Sequence, residues 1–341
     1  MTTLFDVSPF VAAALKDKRP VVALETTLVT HGLPHPEGVQ AAARLEAEVV
    51  AAGAVPATVG VLDGRVRVGL SAAELERLAT APDTAKLNLS NLAGQIAAAR
   101  PGSTTVAATL AVAAWTGIRV FATGGVGGVH RGAEETGDIS ADLHALGRYE
   151  VAVVCAGAKA VLDLPRTVEM LETLGVPIYG FGTDEFPAFY RRASGLPVDM
   201  RFDDLDQLAR AIELHSALGL ATGVVVANPI PTEYEMPLDL YEGSLATALA
   251  EAAKKNVRGR AVTPFLLDRI RELTEGKSVF SNLALLGHNA RVAGRLAVAL
   301  SSRGPRGAGA DLVRSKGRRS SAAAPASSAG ANTGRRPSRE A

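Results

Sequence analysis

The chain has 341 residues, of which 47% are hydrophobic and 21% are charged. This composition is typical of globular proteins and excludes a wholly disordered, collagen-like or fibrous chain. The net charge of +1 is unevenly distributed, because residues 303–341 hold nine Lys or Arg and two acidic residues, a charge of +7. The remaining 27 basic and 33 acidic residues give −6, which argues against a body that binds nucleic acid. The single cysteine, Cys155, excludes an intramolecular disulfide and a cysteine-based zinc site.

Composition also suggests how the chain is divided. Residues 1–302 are predicted to form a single catalytic domain, and residues 303–341, rich in Ser, Ala, Gly and Arg, a disordered basic tail. The N-terminus has Asp6 ahead of a short apolar run and no basic lead. No apolar stretch reaches the roughly 18 residues needed to span a bilayer. We therefore expect a cytoplasmic protein without membrane or nucleic-acid partners.

Apolar, β-branched runs alternate with helical patterns along the chain, which predicts an α/β fold with three α/β/α layers and a central mixed, largely parallel sheet. The predicted strands cover residues 20–27, 118–123, 151–157, 176–182 and 223–229. Residues 57–70 are predicted to form a hairpin around Asp63-Gly64. The predicted helices cover residues 36–53, 71–80, 103–117, 203–219, 244–255, 264–273 and 281–300.

Two ionisable residues follow predicted strands at the edge where ligands of α/β sheets bind. Glu25 ends the run VVALE, where burial can raise the pKa of its carboxyl for general acid catalysis. The alternative is a strand-end glutamate bonded to a loop. Lys159 follows VAVVCAG at the predicted start of a helix, where desolvation and the helix dipole disfavour the ammonium form. Its amine could form a Schiff base, or could simply extend from a first helical turn into water.

A glycine-rich stretch, FATGGVGGVHRGAEETGDISADL, follows the strand at residues 118–123. Its backbone N–H groups could bind an anion, although a mobile surface loop is an equal alternative. The pattern is not a dinucleotide fingerprint, because His130 stands where the third glycine should be. Downstream, Asp138 and Asp142 could hold a hard divalent cation or cap a helix. Lys86, in AKLNLSN, is either a phosphate ligand or a solvated surface lysine.

Several of these blocks occur together: ALETTLVTHGLPHPEG, KLNLSNL, FATGGVGGVHRGAEETGDISADL, VVCAGAKAVLDLPRTVEMLETLGVPIYGFGTDEFPAFY and VVVANPIP. From about Phe5 to Leu300 the chain resembles the pseudouridine-5′-phosphate glycosidase family, which includes proteins associated with indigoidine biosynthesis. The resemblance implies reversible conversion of pseudouridine 5′-phosphate and water to uracil and ribose 5-phosphate by a manganese-dependent enzyme.

The resemblance also implies roles for individual residues. Lys159 matches the nucleophile that attacks the sugar C1′ and forms an iminium, and Glu25 matches the proton donor. Asp138 matches the manganese ligand, with water filling most other positions. The positions implied to contact the substrate are Lys86, the backbone around Val106, and the segment Ser140, Ala141 and Asp142. Local context adds Thr123, His130 and Asn282 to this group.

The resemblance further implies a homo-oligomer, most simply a trimer. Two other functions are compatible with the residues themselves. One is another Schiff-base lyase or aldolase acting on a sugar phosphate, because Lys159, Glu25 and an anion-binding loop would serve that chemistry as well. The other is a non-catalytic nucleotide-binding or regulatory protein. Against it count the absence of a dinucleotide fingerprint and the absence of the Gly-Lys-Ser/Thr of a Walker A loop after these glycines.

Overall fold

The computed structural model describes residues 4–257 and 262–303. The predicted basic tail, apart from Arg303, lies outside the described residues. The strands are β1 (Phe5–Val7), β2 (Val21–Leu24), β3 (Val55–Leu62), β4 (Arg65–Val68), β5 (Ala85–Leu87), β6 (Gly102–Thr104), β7 (Val120–Ala122), β8 (Ala152–Cys155), β9 (Ile178–Phe181), β10 (Met200–Phe202) and β11 (Val224–Ala227).

These strands form one sheet in the order β1-β4-β3-β2-β7-β8-β11-β9-β10, and β5 and β6 join it beside β3. Among the described strands, every pairing is parallel except those of β3 with β4 and of β3 with β6. The antiparallel β3–β4 pair is the hairpin predicted around Asp63-Gly64. The mixed, largely parallel sheet expected from the sequence is therefore confirmed.

The helices are α1 (Pro9–Lys16), α2 (Glu37–Ala51), α3 (Ala72–Thr80), α4 (Leu92–Ala97), α5 (Val106–Thr116), α6 (Ala133–Thr136), α7 (Ala141–Leu146), α8 (Leu164–Thr173), α9 (Leu205–Ala217), α10 (Leu238–Lys254), α11 (Val262–Leu273) and α12 (Lys277–Ser302). Helices α2 and α9 pack on α12, which lies over β2, β7 and β8, and α5 with α7 forms the other helical layer. No helix in the described parts of the chain is both long enough and apolar enough to span a bilayer.

The central strands explain why the fold class could be predicted. Strands β2 (VVAL), β8 (AVVC) and β11 (VVVA) are buried along their whole length. Parallel strands covered by helices on both faces have continuous apolar runs rather than alternating ones. The short runs bounded by Gly, Pro and polar residues therefore marked the interior of the sheet.

The predicted helix over residues 103–117 begins later than expected, at Val106. Residues Gly102–Thr104 instead form β6 between β3 and β5, and the Thr105 side chain accepts a hydrogen bond from Ala108 N–H to cap the helix. The strands β1, β5, β6 and β10 were not predicted as strands, because three residues are too few to show a period. Strand β7 is equally short, but it was predicted because it lies within the apolar run at residues 118–123. Sheet pairing, rather than local sequence, decides these segments.

The strand ends place the functional residues. Because β2, β7, β8 and β11 are parallel neighbours, their carboxyl ends meet at one edge of the sheet. Glu25 follows β2, Thr123 follows β7, Lys159 lies in the loop after β8, and Asn228 follows β11. Residues from four distant parts of the sequence therefore meet at this edge.

Candidate active site

A cavity of about 280 Å³ opens at this edge of the sheet. Its ionisable lining residues are all positions predicted from the sequence: Glu25, Lys86, His130, Asp138, Asp142 and Lys159. Ser140 and Ala141 also line it, as predicted. The structure thus brings the main predicted site residues into one polar cavity.

Three polar lining residues were not predicted: Thr27, Asn88 and Thr105. Thr27 comes two residues after Glu25, and Asn88 comes two residues after Lys86. Alternate residues of an extended segment point to the same side. This two-residue spacing could have identified Asn88, which follows β5. It does not apply to Thr27, because the chain turns into a helical turn there.

Glu25 has a hydrogen-bonded and electrostatically mixed environment. The Thr123 hydroxyl donates to Glu25 Oε1 at 2.5 Å. Burial raises the pKa of the Glu25 carboxyl above its ordinary value, and this effect outweighs the lowering by Lys159 and by the Thr123 hydrogen bond. A carboxyl group that keeps its proton towards neutral pH suits a proton donor.

Lys159 does not lie at the start of a helix, contrary to the expectation from sequence. Helix α8 begins five residues later, at Leu164, where the Asp163 side chain accepts from Arg166 N–H at 3.2 Å. The Lys159 N–H donates to Val126 O at 3.0 Å instead. Lys159 therefore sits in a loop anchored to the glycine-rich segment, and the predicted helix dipole is not what acts on its amine.

Gly157, two residues before Lys159, allows this loop conformation. Its φ is +76°, and a Cβ at this position would collide with Pro187 O. A side chain there is excluded both by the left-handed backbone and by the lack of space. Gly157 therefore fixes the path that brings Lys159 to the cavity.

The glycine-rich stretch divides into two parts. Residues 121–129 are all buried, whereas residues 130–141 are exposed or half-buried. In the buried part, Val126 N–H donates to Gly157 O and Gly127 N–H donates to Asp142 Oδ2 at 2.8 Å, so these two groups are not open to an anion. A Cβ at Gly127 would collide with Ser140, and one at Gly128 with Thr167. These glycines permit close packing beneath the cavity.

Asp142 is committed to the backbone through both carboxylate oxygens. Oδ1 accepts from Ala107 N–H of α5 at 2.9 Å, and Oδ2 accepts from Gly127 N–H. The helix that carries Asp142 is capped by Ser140, whose hydroxyl accepts from Asp142 N–H at 3.2 Å. These contacts favour the helix-cap alternative over a cation ligand, because Asp142 caps the neighbouring α5. Asp142 therefore joins two cavity walls.

Replacing Asp142 with Ala is expected to lower the free energy of unfolding by roughly 2–5 kcal/mol, because two buried backbone N–H groups lose a charged acceptor. Denaturant titration of the purified protein measures this loss. Asp138→Ala is the matched control and should unfold as wild type does, since its carboxylate is partly exposed. Equal stability of the two variants would contradict the bracing role of Asp142.

Asp138 is the carboxylate that remains open to the cavity. Its side chain is 32% exposed, and its N–H donates to the Thr136 hydroxyl. His130 Nδ1 lies 3.9 Å from Asp138 Oδ2, beyond hydrogen-bonding distance. Burial, with Lys159 and Lys86, lowers the pKa of His130 and outweighs the raising effect of Asp138, which favours the neutral imidazole. In the described residues, no group of three or more His, Cys, Asp or Glu side chains could surround a metal ion. One carboxylate facing an open polar cavity fits a cation that keeps most of its water.

The remaining predicted positions differ in how close they lie to the cavity. Lys86, on β5, lines it, and Val106 is the first residue of α5, directly after the lining residue Thr105. Thr123 is buried behind Glu25.

Asn282 lies on α12 and is not among the lining residues of the cavity. Seven residues further along α12, Asn289 is fully buried and donates to Thr123 O at 2.8 Å. Asn289 was not predicted as a site residue from the sequence, although it lies two helical turns after Asn282.

A lysine amine and a half-buried carboxyl group share this cavity at the carboxyl edge of an α/β sheet, an arrangement that can supply a nucleophile and a proton donor. The chain belongs to the family described as indigoidine synthase A like protein, whose model matches residues 10–299. The family predicted from the sequence motifs is thereby confirmed.

Curated relatives cover most of the chain. A pseudouridine-5′-phosphate glycosidase of Methylobacterium nodulans is 53% identical over 306 residues, which are 90% of each chain. A protein of the same name from Caldanaerobacter subterraneus subsp. tengcongensis is 50% identical over 301 residues, 88% of this chain and 98% of the relative.

Two solved structures share the fold. The prealnumycin C-glycosynthase AlnA, in complex with ribulose 5-phosphate, superposes with a TM-score of 0.83 at 39% identity, covering 89% of this chain and 99% of that one. An indigoidine synthase A-like protein from Thermotoga maritima gives 0.80 at 35% identity, covering 88% of this chain and 97% of the other.

Proposed function

We propose that this protein reversibly cleaves the C-glycosidic bond of pseudouridine 5′-phosphate to give uracil and ribose 5-phosphate. The observation that carries the proposal is that Lys159 and Glu25 face the same cavity, in a chain about half identical to proteins named for this activity. AlnA, which has the same fold and is described with a bound sugar phosphate, also supports a C-glycosidic substrate.

The bond to be broken explains why a lysine is needed. Protonating a leaving nitrogen cannot loosen a carbon–carbon glycosidic bond, so the paired carboxylates of an ordinary glycosidase are insufficient. The Lys159 amine would bond to C1′ of the sugar while the C1′–O4′ bond breaks, and the proton that the nitrogen then loses would pass to O4′. The nitrogen lone pair would then form an iminium as the bond from C1′ to uracil breaks. The electron pair passes to the uracil carbon, which takes a proton from Glu25, and water releases ribose 5-phosphate from Lys159.

Two features of the cavity would bind the substrate phosphate. Lys86 supplies a positive charge at the wall. The N-terminus of α5 supplies backbone N–H groups and the positive end of a helix dipole. Asp142 and Thr105 already accept from Ala107 and Ala108 N–H, so Val106 N–H is the donor of this helix end that is proposed to bind the anion.

We propose that Asp138 holds one Mn²⁺, with water in most of its other positions. A hard divalent cation prefers oxygen ligands, and when bound it would supply positive charge beside the oxygens of the substrate. Asp138 is suited to this role because Asp142, unlike Asp138, is occupied by two backbone N–H groups.

Chelation should abolish uracil release, and added Mn²⁺ should restore it. In Asp138→Ala, restoration should require much higher Mn²⁺ or fail, because the one protein ligand is lost. Mn²⁺ binding, followed by electron paramagnetic resonance of the free ion, should weaken in the same variant. Full activity of exhaustively metal-stripped protein would contradict the metal requirement.

The activity itself is tested by incubating the purified protein with pseudouridine 5′-phosphate and Mn²⁺, then separating the products by chromatography. Uracil and ribose 5-phosphate in equal amounts are expected. Turnover of a different sugar phosphate without uracil would favour the alternative lyase or aldolase. Nucleotide binding without any product would favour a non-catalytic binding protein.

We also propose that the protein works as a cytoplasmic homotrimer, a proposal supported by the family resemblance. Light scattering coupled to size-exclusion chromatography measures the assembly directly. A mass three times that of the 35.2 kDa chain is expected.

A further inference from the structure

A pair of amide side chains is buried between the central sheet and helix α12. Asn228 follows β11 and Asn289 lies in the middle of α12, with exposures of 1% and 0%. Asn228 Nδ2 donates to Asn289 Oδ1 at 2.8 Å. A buried amide is costly unless its donors and acceptors are paired. The pair is therefore stable only because each amide finds polar partners.

The amide of Asn289 is aimed at the end of β7. Its Nδ2 donates to Thr123 O at 2.8 Å and to Gly124 O at 3.3 Å. The same Thr123 donates through its hydroxyl to Glu25 Oε1, at 2.5 Å. A continuous chain of hydrogen bonds thus runs from β11 through α12 to the Glu25 carboxylate.

We propose that Asn289, held by Asn228, is a positioning residue that fixes the Thr123 hydroxyl against the Glu25 carboxylate. The inference rests on the proposed role of Glu25 as the proton donor. Asn289 does not line the cavity. It acts by holding the backbone carbonyl groups of Thr123 and Gly124, and so fixes the residue that carries the hydroxyl.

The geometry explains why an amide is needed at this position in α12. The neighbouring side chains Leu285, Leu286 and Ala290 are apolar and buried. The carbonyl groups of Thr123 and Gly124 lie beyond the last residue of β7, and Asn289 donates to both. An apolar residue of similar size would fill the space but leave these carbonyls without this donor.

Fixing the Thr123 hydroxyl against Glu25 affects the pKa of the Glu25 carboxyl group. The charged groups acting on Glu25 are Lys159 and Lys86, which lower its pKa, and Asp142, which raises it. The Thr123 hydrogen bond also lowers the pKa, because it stabilises the ionised form. If Thr123 is displaced, the pKa of Glu25 rises further, because the hydrogen bond that counteracts the effect of burial is lost.

The test is a double-mutant cycle between Thr123→Val and Asn289→Leu, read as the titration of Glu25. Carboxyl ¹³C resonances of the glutamates are followed with pH in the free protein, and the Glu25 signal is assigned by its loss in Glu25→Gln. Thr123→Val should move the midpoint up by about 1–2 pH units. Asn289→Leu should move it in the same direction by a smaller amount. In the Thr123→Val background, Asn289→Leu should add nothing, because its effect passes through Thr123.

Three further variants keep the result interpretable. Asn228→Ala removes only the support of Asn289, so a small upward shift is expected even if Asn289→Leu fails to fold. Leu296→Ala, in the same buried face of α12, should lower stability without moving the midpoint. Thr123→Ser keeps the hydroxyl and should retain the wild-type midpoint.

An unshifted Glu25 midpoint in folded Asn289→Leu and in Asn228→Ala would overturn the positioning role. Additive shifts of Thr123→Val and Asn289→Leu would also overturn it. The titration is measured without substrate, so it stands even if the protein releases no uracil. The pH profile of kcat/KM then tests separately whether the shifted group is the proton donor.

Discussion

Lys159→Ala is expected to abolish uracil release, because the proposed mechanism has no other group that can form the iminium. In the wild-type protein, borohydride added during turnover should reduce this iminium and attach the sugar phosphate permanently to the peptide containing Lys159. Mass spectrometry of the digested protein locates the adduct. Lys159→Ala should show neither adduct nor turnover.

Lys86→Ala is the matched control, since Lys86 is the other lysine that lines the cavity. It should raise KM by weakening phosphate binding, while the adduct still forms on Lys159 at high substrate concentration. Lys159→Ala should unfold at the same denaturant concentration as wild type, because Lys159 is a loop residue that is not part of the buried core. Absence of any adduct, together with a near-wild-type rate in Lys159→Ala, would contradict covalent catalysis.

Glu25→Gln should lower kcat by roughly 10²–10⁴-fold, the usual contribution of a general acid. The substitution keeps the shape of the side chain and removes the transferable proton. Borohydride trapping with ribose 5-phosphate should still label Lys159 in this variant, because forming the imine from the free sugar does not require proton transfer to uracil. The proposed roles of Lys159 and Glu25 can therefore be told apart, because Lys159→Ala should lose imine formation and Glu25→Gln should lose proton transfer to uracil.

The pH dependence follows from the environment of Glu25. Burial raises the pKa of Glu25, so the native protein retains this proton to higher pH than the unfolded chain does. Uracil release by wild type should fall as pH rises through the raised pKa, and this limb should be missing in Glu25→Gln. At pH values above the pKa that Glu25 has in the unfolded chain, ionising the buried carboxyl group lowers the free energy of unfolding. At alkaline pH, Glu25→Gln should therefore be at least as stable as wild type, and a marked loss of stability would contradict the burial argument.

The fold and most of the site could be predicted from local sequence. Continuous apolar runs marked the parallel strands, because strands covered on both faces have no polar side. The Asp63-Gly64 turn marked the hairpin, because few other dipeptides adopt its backbone angles. Glu25 and Lys159 were found because they follow apolar strands. Asp138 and Lys86 were candidates for binding a cation and a phosphate, and the family resemblance gave their roles. His130 was added from the resemblance and its local context.

The sequence by itself therefore determined the α/β class, the family and the chemistry available in the cavity, since these depend on residue type and short-range pattern. Tertiary structure alone decided that Lys159 lies in a loop, that residues 121–129 of the glycine-rich stretch are buried, and that Asp142 joins two cavity walls. It also decided that Asn289 reaches Thr123, 166 residues away in sequence. Hydrogen bonds and close contacts between distant segments leave no periodic trace in the sequence, because they are fixed only when packing brings those segments together.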